Sequence, residues 1–236
     1  MGKGLLQVRL VTMALALGVL GGCATSASKK DPAEGFNRAV FAFNEGLDTV
    51  LIRQAAKGYD MAMPLPARTG VSNFFGNIAD IFIGVNNLLQ GKGSQAASDE
   101  GRFLINSTVG ILGFFDVASE MGMDKHNEDF GQTFGRWGAG PGAYVVLPFF
   151  GPRDVRDTGG LVLDLATDPI GYVTNIRVRN SLVGVRVIND RAALLPADKV
   201  IEEAALDKYS YLRDAYLQRR QSLVYDGNPP PDTDSE

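Results

Sequence analysis

Gly70–Gly91, GVSNFFGNIADIFIGVNNLLQG, is the stretch of sequence that decides the fold, because only one of its residues, Asp80, carries a charge. Its apolar residues recur every three or four positions, which predicts a helix over Ala67–Leu89. This stripe consists of Phe74, Ile78, Ile81, Val85 and Leu88. Phe75, Phe82 and Leu89 lie off the stripe, so the opposite face of the predicted helix is hardly polar.

A second uncharged segment follows in the predicted helix Ser94–Gly113, since no residue from Phe103 to Phe115 is charged. Amide side chains recur through both helices, at Asn73, Asn77, Asn86, Asn87 and Asn106. A helix that is apolar on nearly every side lies in a protein core or in lipid. Two interpretations therefore stay open. The pair is either the centre of a soluble core or is lodged in a membrane with its amides facing a polar interior.

The first residues have the pattern of a secretory signal, with Lys3 and Arg9 ahead of an apolar run over Leu10–Leu20. Eleven helical residues span about 16 Å, too short for a bilayer core of about 30 Å. Leu20-Gly21-Gly22-Cys23 then resembles the bacterial lipobox, in which the cysteine is acylated and the signal is cut before it. We predict a signal peptide over 1–22, lipid attachment at Cys23 and a tether over 23–30. An ordinary signal with an incidental cysteine is the alternative.

Composition excludes some classes of function. The chain has 236 residues and a net charge of −4, and the predicted signal holds two basic residues and no acid. An acidic chain is a poor candidate for nucleic-acid binding, which depends on Lys and Arg neutralising phosphates. Cys23 is the only cysteine, so no disulfide is expected once it is acylated. Stability must then come from packing.

Three further segments frame the two uncharged helices. Asp31 and Pro32 predict the capped start of an amphipathic helix that ends near Ile52. Tyr144–Leu147 has the composition of a short strand, and the region before it is rich in glycine. Gly138, Gly140 and Gly142 suit tight turns or a loop hinge. A long helix is predicted over Asp198–Tyr225, ahead of an acidic tail, 226–236, that we expect to be disordered.

Arginines follow the glycine-rich region, at Arg177, Arg179, Arg186 and Arg191. They are either solvated or placed to meet phosphates or a protein partner.

No pattern of residues predicts catalysis, a metal or a cofactor. His126, the only histidine, has Glu128 and Asp129 nearby but lacks the ligand spacing of zinc motifs. A Ser-His-Asp triad would need His126, and the chain has no Gly-x-Ser-x-Gly elbow. It also has no Gly-x-x-x-x-Gly-Lys-Ser/Thr phosphate loop. The sequence therefore gives no reason to expect an enzyme.

Colinear blocks over roughly Asp31–Tyr225 resemble the MlaA (VacJ) lipoprotein family. The first is Asp31-Pro32-Ala33-Glu34-Gly35-Phe36-Asn37-Arg38, followed by Asn87-Leu88-Leu89-Gln90-Gly91-Lys92, Arg102–Gly110 and Gly113–Ala118. The most specific is His126-Asn127-Glu128-Asp129-Phe130-Gly131-Gln132-Thr133-Phe134-Gly135, followed by Gly142–Pro148 and Gly151-Pro152-x-x-x-Arg156-Asp157. Ala143 stands where many members have proline, which affects only local loop geometry.

The resemblance implies a mainly α, ring-like helical domain over 31–225, associated with the periplasmic leaflet of the outer membrane, with a short β and glycine-rich loop element. Through the ring, phospholipids misplaced in the outer leaflet would pass to a soluble periplasmic carrier, which preserves lipid asymmetry. A trimeric porin is the implied partner in the outer membrane.

On this basis we expect the two uncharged helices to form the wall, with the five asparagines and Phe74, Ile78, Ile81 and Val85 as channel or wall residues. Gly138, Gly140 and Gly142 would hinge the gating loop. The alternatives are a porin-associated structural lipoprotein and a lipid hydrolase that uses His126.

Overall fold

The computed structural model describes residues 30–230, so the predicted signal peptide, Cys23 and residues 231–236 lie outside it. The described chain is mainly helical. Its helices are α1 (Glu34–Leu47), α2 (Arg53–Ala62), α3 (Leu65–Leu89), α4 (Gly93–Thr108), α5 (Val117–Glu120), α6 (Phe130–Arg136), α7 (Val155–Thr167), α8 (Ile176–Ala204) and α9 (Lys208–Val224). A π-helical turn (Asp48–Ile52) joins α1 to α2, and a 3₁₀ turn (Pro169–Tyr172) follows α7.

The first helix runs further than the sequence predicts. It continues through the π turn into α2 and ends at Ala62 instead of near Ile52. The apolar face of residues 53–62 is made mostly of small residues, and Ala56 on it is fully buried. Ion pairs also hold this stretch, because Arg53 lies 3.1 Å from both Glu45 and Asp48. Arg191 of α8 also donates to both carboxylate oxygens of Asp48, at 2.7 and 2.9 Å.

The two predicted helices form an antiparallel pair, α3 and α4, which are in extensive contact. The predicted span of α3 is confirmed to within two residues. The predicted end of α4 at Gly113 is wrong, because the helix stops at Thr108. Ile111 and Leu112 adopt φ angles of 52° and 57°, which a right-handed helix cannot include. Gly110 packs so closely that a Cβ there would lie 2.2 Å from the carbonyl oxygen of Phe115.

The predicted strand Tyr144–Leu147 is confirmed as β1, and it pairs antiparallel with β2 (Gly151–Asp154). Two asparagines of α1, seven residues apart, hold the backbone of this hairpin. Asn37 accepts from Val146 N at 2.9 Å and donates to Tyr144 O at 3.1 Å. Asn44 accepts from Phe149 N and donates to Leu147 O, both at 2.9 Å.

Asp31 does not cap α1 as predicted, because the N-cap residue is Ala33 and no side chain caps it. Instead the Asp31 side chain is fully buried. It accepts from Asn37 at 2.8 Å and from the hydroxyl of Tyr209 in α9 at 2.5 Å. One carboxylate thereby joins the start of the described chain to its last helix.

The prediction of one continuous terminal helix over Asp198–Tyr225 is wrong, because two helices share this range. Its first part belongs to α8, which ends at Ala204, and the rest is α9. Asp207 marks the break, since its side chain caps α9 by accepting from Tyr209 N at 3.1 Å. The same carboxylate pairs with Arg38 of α1 at 2.6 Å, which fixes the direction in which α9 leaves.

The buried interior of the described chain is rich in polar and charged side chains. Among residues 30–230, fifteen polar or charged residues are buried, against eleven apolar ones. Many large apolar side chains are exposed at the same time, including Val109, Ile111, Leu112, Phe114 and Phe115 at the end of α4. Scattered exposed apolar residues are normal, but buried charges and a large apolar patch are informative. No helix within 30–230 has both the length and the apolar character needed to cross a membrane.

Replacing Asn37 should destabilise the fold strongly. Asn37→Ala leaves Val146 N, Tyr144 O and an oxygen of Asp31 without their partner, which should cost about 2–4 kcal/mol. Asn44→Ala removes the equivalent pair of bonds at a half-buried position and should cost about 1 kcal/mol. Chemical denaturation of the detergent-solubilised protein measures both. Equal stability of Asn37→Ala and the wild type would contradict the role of this side chain.

Candidate functional site

Five elements close a ring around one cavity. Helix α3 contacts α8, α8 contacts the 3₁₀ turn, the turn contacts α7, α7 contacts α6, and α6 contacts α3. The cavity inside has a volume of about 300 Å³. Every element of the ring contributes to its lining except α6, which is represented by residues 127–129 just before it. We call this space the ring cavity.

One wall of the ring cavity is apolar and comes from a single face of α3. Phe75, Ile78, Phe82 and Ile83 line it, with the small Ala79 between them. These positions are separated by one, three or four residues, so they share one side of the helix. Such a wall can pack against hydrocarbon but offers no hydrogen bonds.

The rest of the lining, here called the charged wall, is mostly polar, although Leu165 and Pro169 also contribute. Its charged residues are Glu128, Asp129, Asp164, Asp168 and Arg186. Three of these carboxylates have cationic partners: Asp168 pairs with Arg186 at 2.6 Å, Glu128 with Lys92 at 2.9 Å and Asp129 with Arg220 at 2.6 Å. The ring cavity is therefore amphipathic, with one side suited to hydrocarbon and the other to polar groups.

Asp164 differs from its neighbours on this wall. Burial, together with the nearby charge of Asp129, raises the pKa of Asp164 to about 6. Its described hydrogen bond comes from Phe130 N at 3.2 Å, so the backbone before α6 partly offsets the burial. By contrast, hydrogen bonds from Arg220 hold the pKa of Asp129 below its usual range, although burial acts in the opposite direction.

A close helix contact and one arginine fix the charged wall. Gly160 of α7 lies so near α6 that a Cβ there would be 2.3 Å from Gly131 N. Arg220 of α9 donates to Asp129 at 2.6 and 2.9 Å and to Asp157 at 2.9 Å. Because Asp129 caps α6 and Asp157 lies in the first turn of α7, Arg220 holds the starts of both helices together.

The predicted asparagines are placed between elements, not along the ring cavity. Four are buried and Asn73 is half-buried. Asn77 donates to Ser107 of α4 at 2.8 Å, and Asn87 donates to Asp99 of α4 at 2.7 Å. Asn86 accepts from Thr133 of α6 at 2.6 Å, and Asn106 donates to Asp116 at 2.9 Å. The amides of Asn77, Asn86 and Asn87 hold α3 to its neighbours, and Asn106 holds α4 to the segment before α5.

Of the predicted apolar wall residues, only Ile78 lines the ring cavity. Val85 is exposed, Ile81 is half-buried, and Phe74 packs against Phe75 and Phe114 with ring centroids 5.2 and 5.9 Å away. The residues missed are Phe75, Phe82 and Asp164, together with Arg186, which the sequence offered only as one of four arginines. Phe75 and Phe82 could have been identified from the sequence, because they lie on the face of the helix away from the main apolar stripe.

The predicted hinge glycines line a second cavity of about 330 Å³, next to α9. Gly138 and Gly142 adopt φ angles of 94° and 71°, which favour glycine. A Cβ at Gly140 would meet nothing within 4 Å. The loop is thus shaped by its glycines and has open space beside it, and its proposed role as a hinge remains a prediction.

His126 lies beside a buried carboxylate, with its Nδ1 2.7 Å from Asp99 Oδ1. Asp99 also receives the amide of Asn87, so the pair forms part of the α3–α4 contact. Within residues 30–230, the described hydrogen bonds bring no Ser, Thr or Cys side chain to the imidazole. The arrangement supplies a base and its orienting acid without a nucleophile bonded to it.

Comparison with known proteins agrees with this architecture. The family model described as MlaA lipoprotein matches residues 29–223. The chain is 35% identical to the intermembrane phospholipid transport system lipoprotein MlaA of Escherichia coli, with 96% of this chain and 92% of that protein covered. It is 37% identical to an uncharacterised protein of Rickettsia bellii over 82% of this chain and 76% of that one.

A solved structure also matches, from work on the structural basis for maintenance of bacterial outer membrane lipid asymmetry. The match has a TM-score of 0.73 and 34% sequence identity, and it covers 83% of this chain and 100% of that one. The family model and these full-length relatives together show that the chain belongs to the MlaA lipoprotein family.

Proposed function

We propose that this protein is an outer-membrane lipoprotein that takes mislocalised phospholipids from the outer leaflet and passes them through the ring cavity toward the periplasm. The observation that carries the proposal is the amphipathic lining of an open cavity formed by a cycle of contacting helices. A phospholipid has the same division, with hydrocarbon chains and a charged headgroup.

The distribution of polarity supports a position within one leaflet. Buried Arg102 and Asp80 lie inside, while apolar residues such as Leu112 face outward with 68% of their surface exposed. Exposed apolar surface of this extent gains free energy in hydrocarbon, at about 25 cal/mol per Å² removed from water. Acylation of Cys23 would add about 0.8 kcal/mol for each buried CH₂ of the lipid.

The lining suggests how a lipid would move. Acyl chains would lie against Phe75, Phe82 and Ile83, while the headgroup would face the wall that holds Asp164 and Arg186. Nothing in this path needs a bond to be made or broken. The protein would supply a route, and energy would enter elsewhere in the pathway.

Two partners belong to the proposal. A soluble periplasmic carrier would receive the lipid, since a phospholipid leaving the ring cavity needs an apolar site to enter. A trimeric porin would hold the lipoprotein in the outer membrane. Both come from the family resemblance.

Two other functions have specific observations in their favour. The His126–Asp99 pair would serve a lipid hydrolase, which would release lysophospholipid or free fatty acid from added phospholipid, and His126→Ala would abolish that release. The exposed apolar surface would also serve a structural lipoprotein bound to a porin, which would carry no phospholipid on purification.

Blocking the ring cavity should stop transport. In a strain that lacks this protein, phospholipid in the outer leaflet should rise, and the wild type should restore the low level. Ala79→Trp places a large side chain in the ring cavity and should leave the level as high as in the deletion strain. Cys23→Ala should fail in the same way, because it removes the anchor. Outer-leaflet phospholipid is measured by labelling intact cells.

Ala97→Trp is the matched control, because Ala97 is an exposed residue of α4 that lines no described cavity. It should restore the wild-type level. All variants must reach the membrane in equal amounts. Full activity of Ala79→Trp at that amount would show that lipid does not pass through the ring cavity.

Stiffening the glycine loop should slow transport if the loop is a hinge. Gly140→Pro fixes φ near −65° and also restricts Ala139, so we expect a several-fold lower rate with unchanged thermal stability. Gly140→Ala fits into open space and should remain close to wild type. The same surface-lipid assay reports the rate, and an unimpaired Gly140→Pro protein would refute the hinge.

A further inference from the structure

The charged wall of the ring cavity contains one carboxylate that is not paired with a cation of the protein. Glu128, Asp129 and Asp168 each lie within 2.9 Å of a Lys or Arg nitrogen. Within residues 30–230, no Lys, Arg or His nitrogen lies within 4 Å of a carboxylate oxygen of Asp164. Asp164 is therefore the one carboxylate of the described wall whose charge is left for a ligand to meet.

One oxygen of this carboxylate is open to the cavity. Oδ1 of Asp164 accepts from Phe130 N at 3.2 Å, whereas Oδ2 has no hydrogen-bond partner in the described chain. Oδ2 also differs from the unpartnered side-chain atoms that residues 30–230 cover completely, because it keeps contact with solvent. Since Asp164 lines the ring cavity, Oδ2 can accept a hydrogen bond from a molecule inside.

More distant charges do not compensate the charge of Asp164. Burial raises the pKa of Asp164 most, and the charge of Asp129 raises it further. Arg153 and Arg220 lower the pKa from beyond 4 Å but do not cancel these effects, since its value is about 6. At neutral pH the carboxylate is still ionised, at a cost that a cation in the cavity would offset.

The rest of the lining indicates which kind of cation fits. The apolar face of α3, with Phe75, Phe82 and Ile83, suits hydrocarbon, which a metal ion or a small free amine does not have. Arg186 donates to Asp168 through Nη2 at 2.6 Å, and its other N–H groups have no partner in the described chain. Because guanidinium N–H groups bind phosphate well, the lining suits hydrocarbon, a phosphate and a cation together.

We infer that Asp164 selects the lipid headgroup, with Oδ2 accepting a hydrogen bond from the primary ammonium of phosphatidylethanolamine. Such an ammonium has three N–H donors, and a hydrogen bond between charged partners is stronger than one between neutral groups. Phosphatidylglycerol brings no cation, and its negative charge meets a described lining of four carboxylates and one arginine. The inference rests on the proposed function, in which a phospholipid enters the ring cavity.

The test uses the mature protein purified in neutral maltoside micelles, with equal amounts of phosphatidylethanolamine and phosphatidylglycerol of the same acyl chains. Native mass spectrometry counts each lipid bound to the protein. Lipid that Ala79→Trp also retains lies outside the ring cavity and is subtracted. We expect the wild type to prefer phosphatidylethanolamine about tenfold, equal to about 1.4 kcal/mol.

Asp164→Asn removes the charge and keeps an oxygen that can accept from Phe130 N. The two lipids should then bind equally, and thermal stability should not fall, because the variant buries no charge at this position. Asp124→Asn is the matched control, since Asp124 is exposed and does not line the ring cavity. It should keep the tenfold preference of the wild type.

Ethanolamine at the same concentration separates the headgroup from a free amine. It has the ammonium without the hydrocarbon and should not be retained; its retention in place of the lipid would reject the lipid as the occupant. Equal binding of both lipids by the wild type, or an unchanged preference in Asp164→Asn, would overturn the inference and leave the transport proposal standing. If Ala79→Trp lost no lipid, both proposals would fail together.

Discussion

The fold depends on satisfying buried polar side chains within the protein. Arg102 is 1% exposed and would be costly there unless paired. It donates to both oxygens of Asp116, to Met123 O at 2.6 Å and to Ser119 at 3.0 Å. Arg220, Asn37 and Asn87 do the same for other helices. Polar bonds, more than apolar packing, therefore determine which helices meet.

This constraint explains why so many apolar side chains remain outside. A protein that fills its interior with amides and ion pairs has no interior space for its leucines and valines. The turn after α4 is the clearest case, since Val109, Ile111 and Leu112 are all more than 60% exposed. The same arrangement leaves an amphipathic ring cavity beside α3.

Much of this could be predicted from the sequence. The nearly uncharged run over 70–91 predicted α3 to within two residues, and the composition of Tyr144–Leu147 predicted β1. The interpretation of the asparagines as residues of a polar interior agrees with their buried hydrogen bonds. Local pattern sufficed for α3 and β1 because each depends on residues close in sequence, whereas the asparagines bind partners as distant as Thr133 from Asn86.

Other features depend on distant contacts and could not be predicted. Asp31 was predicted to cap a helix, but its carboxylate instead accepts a hydrogen bond from Tyr209, which is far along the chain. The extension into α2 depends on the ion pairs of Arg53 and Arg191 and on a face of small residues such as Ala56, which is weak as a sequence pattern. The charged wall needs α6, α7 and α8 to meet, so single arginines or aspartates such as Arg186 and Asp164 could not be identified in advance.

The central claim is that the apolar outer surface lies in lipid while the polar side chains face inward. A spin label at Leu112→Cys tests it directly. Cys23 is the only native cysteine, and its predicted acylation would leave the introduced thiol as the single labelling site. In phospholipid vesicles, oxygen should relax this label more than a water-soluble nickel complex does. A label at Lys199→Cys, whose native side chain is 83% exposed, should show the reverse. Equal access of the nickel complex to both labels would contradict the account.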